Sequence, residues 1–360
     1  MGGQVVAVNT VREFSIVSGT SSVQNPFAEV DYKTSGGHDD YRALQLSLGR
    51  RFNTGLVLNS QYTFSRSFGN TSGSNEARTA ANNARALSDF DYDNGYNNFD
   101  VRHNFNLSAL YALPFGKNGK HDLGKTGKAL LGNWEIGTIV NGRSGVPLEI
   151  GIVRPDVVIE CVVAGGCVVP TGAGGATTTL ANGFTAQLPG TINGANPLPP
   201  GFIAVVNTPS GGNSRNVRRP DLIAGVSPYL NNDRSIVNPA AFATPTPGTF
   251  GNLPRNALRG PNFSQFDLVF NKRIRFTETT NLEFRTEIFN ILNHTNFANP
   301  GSTLSLALPA VTGSGTVGQP GQPYTTSGAG GTFGLIRQTV VRDVGLGTSR
   351  QIQFALRLNF

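Results

Sequence analysis

The sequence predicts an all-β fold: an antiparallel transmembrane β-barrel, partial, of about eight strands, with long extracellular loops and short periplasmic turns. Three observations carry that expectation. Several stretches alternate apolar and polar residues with a strict period of two, most clearly the last one, RQIQFALRLNF, where Ile352, Phe354, Leu356, Leu358 and Phe360 are apolar while Gln351, Gln353, Arg357 and Asn359 are polar. Charged residues make up only 14%, against roughly 25% in ordinary soluble domains, and 45 glycines supply turns. The stretches between strands also sort by length: counted back from the carboxy-terminus, short turns fall on one end of the strands and the longest connections on the other. That is the asymmetry of outer-membrane barrels.

The composition is consistent with this. No run approaches the roughly 18 apolar residues of a spanning helix. The mean hydropathy of −0.16 excludes a helical membrane protein but not a barrel, whose strands average out. A net charge of +7 raises nucleic acid as a partner, but Lys and Arg are scattered and do not interleave with aromatics, so no nucleic-acid binding is expected. The densest lysine group, Lys117, Lys120, Lys125 and Lys128, lies in a glycine-rich connector.

Along the chain, the alternation predicts weak strands at Gln4–Val17 and Phe27–Thr34, then clear ones. Tyr41–Phe52 places Leu44, Leu46 and Leu48 on one face; after the turn Asn53-Thr54-Gly55, Leu56–Phe68 places Leu56, Leu58, Tyr62 and Phe64 there. Gly69–Asn98 reads as a long loop with a short helix in ARTAANNARAL. Phe99–Leu113 returns as a strand, with Phe99, Val101, Phe105, Leu107 and Tyr111 opposite Asp100, Arg102, Asn104 and Asn106, and Pro114 stops it. Trp134–Asn141 sets Trp134, Ile136 and Val140 against Glu135 and Asn141. Periodicity then fades from Leu148 to Pro261, the expected outer loop. It resumes with Phe266, Leu268, Phe270, Ile274 and Phe276, with Lys272 the one charge on that apolar side, and with Leu282, Phe284, Thr286 and Ile288. The intervening Arg273, Arg275, Glu283, Arg285 and Glu287 are expected to line the lumen, the arginines of one strand facing the glutamates of the next.

Several motifs point elsewhere. Gly119–Thr126, GKHDLGKT, matches G-x-x-x-x-G-K-[ST], which needs a buried strand before it and a helix after it. Pro114 and Gly116 precede it, and Gly127 and Gly132 are expected to break the segment that follows, so the match reads as chance; a soluble nucleotide-binding β-sandwich enzyme would require Lys125-dependent ATP binding. His38, His103, His121 and His294 share no metal spacing, His294 reading as part of a rim turn, and no catalytic Ser, His and Asp set is recognisable. Asp89, Asp91 and Asp93 in SDFDYDN resemble the start of a calcium loop but lack the rest of its spacing, so the expectation is an ordinary loop with no metal and no cofactor. Cys161 and Cys167 flank Gly165 and Gly166, which would let the chain turn back for a short disulfide; a pair of free thiols is the alternative. MGGQVVAVNT carries no signal peptide, which for an exported chain suggests a fragment.

The stretch LEFRTEIFNILNHTNFANP (Leu282 to Pro300) resembles the penultimate strand and following loop of Oar-like TonB-dependent outer-membrane receptors, many of which carry a carboxypeptidase-regulatory-like domain and which abound in Acidobacteria. YRALQLSLGRRFNTGL, SDFDYDNGYNNFDVRHNFNLSALYALPFG, RNALRGPNFSQFDLVFNKRIRF and RQIQFALRLNF are similar to further parts of that family. The resemblance implies a barrel of roughly 22 strands, plugged by an amino-terminal domain and powered through the TonB complex. Residues 1–360 would then be its carboxy-terminal part, without plug, TonB-contacting or regulatory segments, and 148–261 a long extracellular loop. It implies a bacterial outer-membrane location and a transporter of an unknown ligand, not an enzyme. The expected partners are outer-membrane lipid, the barrel-assembly machinery reading Phe354, Leu356, Leu358 and Phe360, and the TonB complex only through the missing amino-terminal region. A small self-contained barrel or adhesin is the alternative.

Overall fold

The structure, a computed structural model, describes residues 35–71, 89–115, 124–152, 218–232, 234–246, 249–277, 279–305, 321–340, 347 and 349–360, together with the short strands Ile16–Ser18, Ser22–Gln24, Val157–Cys161 and Phe202–Val206. Seven strands form one meander: β1 (Asp39–Arg51), β2 (Leu56–Gly69), β3 (His103–Ala112), β4 (Trp134–Arg143), β5 (Phe263–Arg275), β6 (Asn281–Phe289) and β7 (Gln351–Asn359). Each pairs antiparallel with its sequence neighbour, and the two-residue strand Gly95–Tyr96 adds to the end of β2, making eight in the sheet. The candidate strand Phe27–Thr34 lies outside the described residues, and of Gln4–Val17 only Ile16 and Val17 are described, in a separate hairpin with Ser22–Gln24.

Register shows why the period of two matters. Leu44 pairs with Phe64, Leu46 with Tyr62, Leu107 with Val140, Tyr111 with Ile136, Ile136 with Phe270, and Leu282 with Leu358, so the apolar rows of all seven strands share one face. The other face aligns Gln45 with Thr63, Gln61 with Asn106, Asn106 with Asn141, and Asn141 with Gln265. A one-residue slip anywhere would exchange the faces.

Burial is inverted relative to a soluble sheet. Among the described residues, the buried side chains of the strands are polar, namely Ser65, Ser67, Gln265, Asp267 and Lys272, while Leu44, Leu46, Leu48, Phe64, Ile352, Phe354, Leu356 and Leu358 are exposed. Phe354 and Leu356 are 70% and 69% exposed. A continuous apolar face of this size on a hydrogen-bonded sheet needs a hydrocarbon neighbour, because water would leave its burial energy of about 25 cal/mol per Å² unrealised.

The connections sort as their lengths suggest. The turns after β1 and β5 lie at one end: Phe52 N–H bonds Leu56 O at 2.8 Å, and Phe276 N–H bonds Thr280 O at 3.0 Å. Gly55 sits at φ 86, and a Cβ there would come within 3.1 Å of Ala112 O, so the first turn demands glycine. The stretches 70–102, 144–262 and 290–350 all leave the opposite end. The connector between β3 and β4 returns to the short-turn end and contains the helix α1 (Gly124–Leu131). This corrects the expectation that Gly127 and Gly132 prevent a helix there. The carboxy-terminal end of the helix is anchored from outside by Lys272 and Trp134, as described below.

The apolar core lies in the long loops. Leu148, Ile150, Ile152, Val237, Phe242, Leu253, Leu258, Leu304, Tyr324 and Phe333 pack together, with the Phe242 and Phe333 rings edge to face at 5.8 Å. Two-residue ladders stitch them: Pro147–Leu148 with Leu258–Arg259, Asp221–Leu222 with Phe242–Ala243, and, in parallel, Gly151–Ile152 with Thr303–Leu304. The described parts of 144–152, 218–262 and 290–340 therefore form one packed cap on the outer end of the sheet.

Candidate ligand-binding recess

The third strand begins at His103, not at Phe99. Asp100 causes the difference: its carboxylate accepts Ser67 N–H at 2.5 Å and its own N–H bonds Asn97 O at 2.9 Å, folding 97–102 inward onto β2. Ser65 Oγ reaches Val101 O at 2.7 Å, and Asn97 Nδ2 reaches Ser67 Oγ at 2.9 Å. Phe99 and Val101, expected on the apolar face, instead line the polar side of the sheet.

There they help enclose a recess of about 740 Å³. Its walls are Asp39, Tyr41 and Gln45 from β1, Thr63, Ser65 and Ser67 from β2, Asn104 and Arg143 from β3 and β4, and Asn97, Phe99, Asp100 and Val101. Tyr41 and Phe99 are both more than half exposed. Two aromatic surfaces among amides and hydroxyls provide stacking and hydrogen bonding together, the usual make-up of a site for a polar organic ligand.

Three arginines of the cap brace this wall. The Arg219 guanidinium stacks on Tyr92 at 4.0 Å and donates to Asp93 at 3.1 Å and to Tyr92 O at 2.6 Å. Arg255 Nη2 donates to Gly69 O at 2.7 Å and Asn97 Oδ1 at 3.2 Å, and Arg259 forms an ion pair with Asp100 while donating to its backbone oxygen at 3.1 Å. Asn256, at φ 54, adds Nδ2 bonds of 2.7 Å to Tyr96 O and Asn98 Oδ1. Arg255 can come this close only because Gly95 has no side chain: a Cβ would lie 2.3 Å from Arg255 O. Sequence reasoning does not single out these arginines, because nothing local marks their partners, more than a hundred residues away.

The other sequence candidates fall as follows. Asp89 caps a short 3₁₀ turn by accepting Asp91 N–H at 3.0 Å, Asp91 accepts Asn94 Nδ2 at 3.0 Å, and Asp93 is taken by Arg219, so the three carboxylates serve different protein donors. Arg273 stands opposite Glu283, and Glu283 opposite Arg357. Arg275, however, faces Asn281 and Glu287 faces Val269, so only one of the two expected cross-strand pairings of opposite charge is in register; Arg285 pairs with Glu287 along its own strand instead. The cause is register: the turn sets Arg275 against Asn281, which leaves Glu287 beyond the arginines. His103 Nδ1 lies 2.8 Å from Tyr62 OH, and His294 closes a turn with Asn290 through bonds of 2.8 and 3.0 Å, at the rim as expected. The helix α1 begins within GKHDLGKT, at Gly124, but the strand before it is β3, whose sheet partners are antiparallel, whereas a phosphate loop follows a strand of a buried parallel sheet; residues 116–123 lie outside the described residues. Cys161 ends a short strand paired with Phe202–Val206, and Cys167 lies outside the described residues.

The model of a family described as an outer membrane beta barrel domain matches residues 2–156 and 150–353. No curated protein matches the chain. Together with an antiparallel meander whose exposed face is apolar and whose long loops gather at one end, this match shows that the chain belongs to the outer membrane β-barrel domain family and is located in the bacterial outer membrane.

Proposed function

We propose that the chain forms part of the wall of a TonB-dependent receptor that takes up a polar ligand through the outer membrane, and that it is not an enzyme. The observation that carries this reading is the pairing of a braced extracellular cap with a polar, aromatic-bearing recess on the lumen face, the arrangement a receptor needs to capture a solute before moving it. An adhesive surface needs no recess inside the wall.

Strand polarity calls for strands beyond these seven. β1 and β7 are the first and last of seven alternating strands and therefore run in the same direction. An antiparallel barrel closes on an even number, so an odd number of further strands must stand between them. A large receptor barrel meets that condition, and so does a self-contained eight-stranded barrel, with a single added strand. The stretch Leu282–Pro300 resembles Oar-like receptors, and in that reading the TonB complex acts through a segment preceding the barrel.

The DNA upstream of the Met1 codon tests the reading. An open frame encoding a plug and further alternating strands agrees with it. A promoter and start site directly before a single added strand contradicts it and favours the small barrel.

A further inference from the structure

α1 sits at the short-turn end of the sheet, and its carboxy-terminal end is held by two side chains of the lipid-facing rows. Lys272 Nζ donates to Gly132 O at 2.6 Å and to Leu130 O at 3.1 Å, and Trp134 Nε1 donates to Leu130 O at 2.8 Å. The ammonium also lies 5.3 Å from the centre of the Trp134 ring. Trp134 and Lys272 face each other across β4 and β5, in line with Phe284 and Leu356. A cation at the carbonyl end of a helix is favourable, which explains how Lys272 can stand on an apolar face. Asn133, at φ 57, ends the helix in the left-handed conformation that asparagine tolerates, and the chain turns straight into β4.

Held this way, the end of the helix lies outside the barrel wall, at the periplasmic rim. Leu130 and Leu131 are 67% and 52% exposed, and the helix sequence GKTGKALL carries Lys125 and Lys128 and no acid. We infer that α1 is a membrane-interface helix that binds anionic phospholipid of the inner leaflet. Its exposed leucines offer apolar surface to the bilayer, and its lysines supply the charge that complements an anionic headgroup. Trp134 stands where aromatic side chains gather at a membrane–water boundary. The inference rests on the barrel family and the lipid-facing register, not on transport.

The chain has a single tryptophan, so its fluorescence reports this site directly. The barrel that contains this chain, with any tryptophan outside residues 1–360 replaced by phenylalanine, is folded into vesicles in which either phosphatidylglycerol or phosphatidylcholine carries bromine near the headgroup or near the chain ends. Trp134 is expected to be quenched more by the shallow label. A second reporter, Leu131→Trp in a Trp134→Phe background, is expected to be quenched roughly twofold or more strongly by brominated phosphatidylglycerol than by brominated phosphatidylcholine, since each lysine near such a surface contributes severalfold. Lys125→Gln with Lys128→Gln should remove that preference while leaving the heat-modifiable folded band unchanged. An unquenched, water-exposed Leu131→Trp, or quenching indifferent to the headgroup, overturns the inference. Should that reporter fail to fold, Trp134 in the unsubstituted chain decides: indifference to headgroup, or stronger quenching by the deep label, overturns it.

Discussion

Arg219 and Asp93 form an ion pair whose side chains are 1% and 2% exposed, joining the loop before β5 to the loop between β2 and β3. Arg219 also stacks on Tyr92, so cap and recess wall are fastened by a desolvated charge pair with an aromatic shelf.

Removing one partner leaves the other buried and uncompensated. Asp93→Ala is expected to destabilise the cap locally by about 3–5 kcal/mol, with the strands unaffected. Limited proteolysis of the folded barrel should then cut within 218–262, and the unsubstituted chain should resist cleavage there. Asp93→Ala with Arg219→Met should recover part of the loss, because no lone charge remains.

Phe354 and Gln353 are adjacent on β7 but belong to opposite faces, Phe354 in register with Thr286 and Gln353 with Glu287. Counting back from Phe360 at about 3.3 Å per residue on a strand tilted near 40°, Phe354 lies roughly 15 Å into the membrane. Phe354→Arg should therefore cost about 2–4 kcal/mol in a reversible folding titration in vesicles, and Gln353→Arg well under 1 kcal/mol.

On the lumen face Glu283 stands between Arg273 on β5 and Arg357 on β7. Glu283→Lys puts three cations in one cross-strand row. The expected loss is about 1 kcal/mol, smaller at high salt, measured in the same titration. Glu283→Gln should cost less.

Phe360 is 95% exposed beyond the last ladder pair, Asn359 with Asn281, so it contributes little packing within the chain. We propose that it acts with Phe354, Leu356 and Leu358 as the signal read during assembly. Its deletion should slow the appearance of heat-modifiable barrel in cells while leaving unassisted folding into detergent unchanged. A defect of equal size in both assays would mean that Phe360 stabilises the fold instead.

The strand faces were legible because side-chain period is local: Leu44, Leu46 and Leu48, or Phe266, Leu268 and Phe270, declare their side without reference to any partner. Phe99 and Val101 misled for a non-local reason, since Asp100 reaches Ser67 N–H and Arg259 and pulls the chain off the strand path. Leu148, Phe242 and Leu304 meet in the cap from distant loops, each held by ladders of two residues, too short to leave a periodic trace. The helix Gly124–Leu131 has weak propensity of its own, and Lys272, which secures it, is far away in sequence. Of the recess, Asp100 and Asn104 were legible as residues of the polar face, but the contribution of Asn97, Phe99 and Val101 to its second wall was not.

The exposed face of the sheet meets hydrocarbon, and site-directed spin labelling along β7 tests this most directly. Single cysteines are placed at each position from 351 to 358 in a background with Cys161→Ser and Cys167→Ser, in vesicles. Labels at 352, 354, 356 and 358 should collide with lipid-soluble oxygen, and those at 351, 353, 355 and 357 with a water-soluble nickel chelate. Loss of that alternation, or its inversion, would contradict the account.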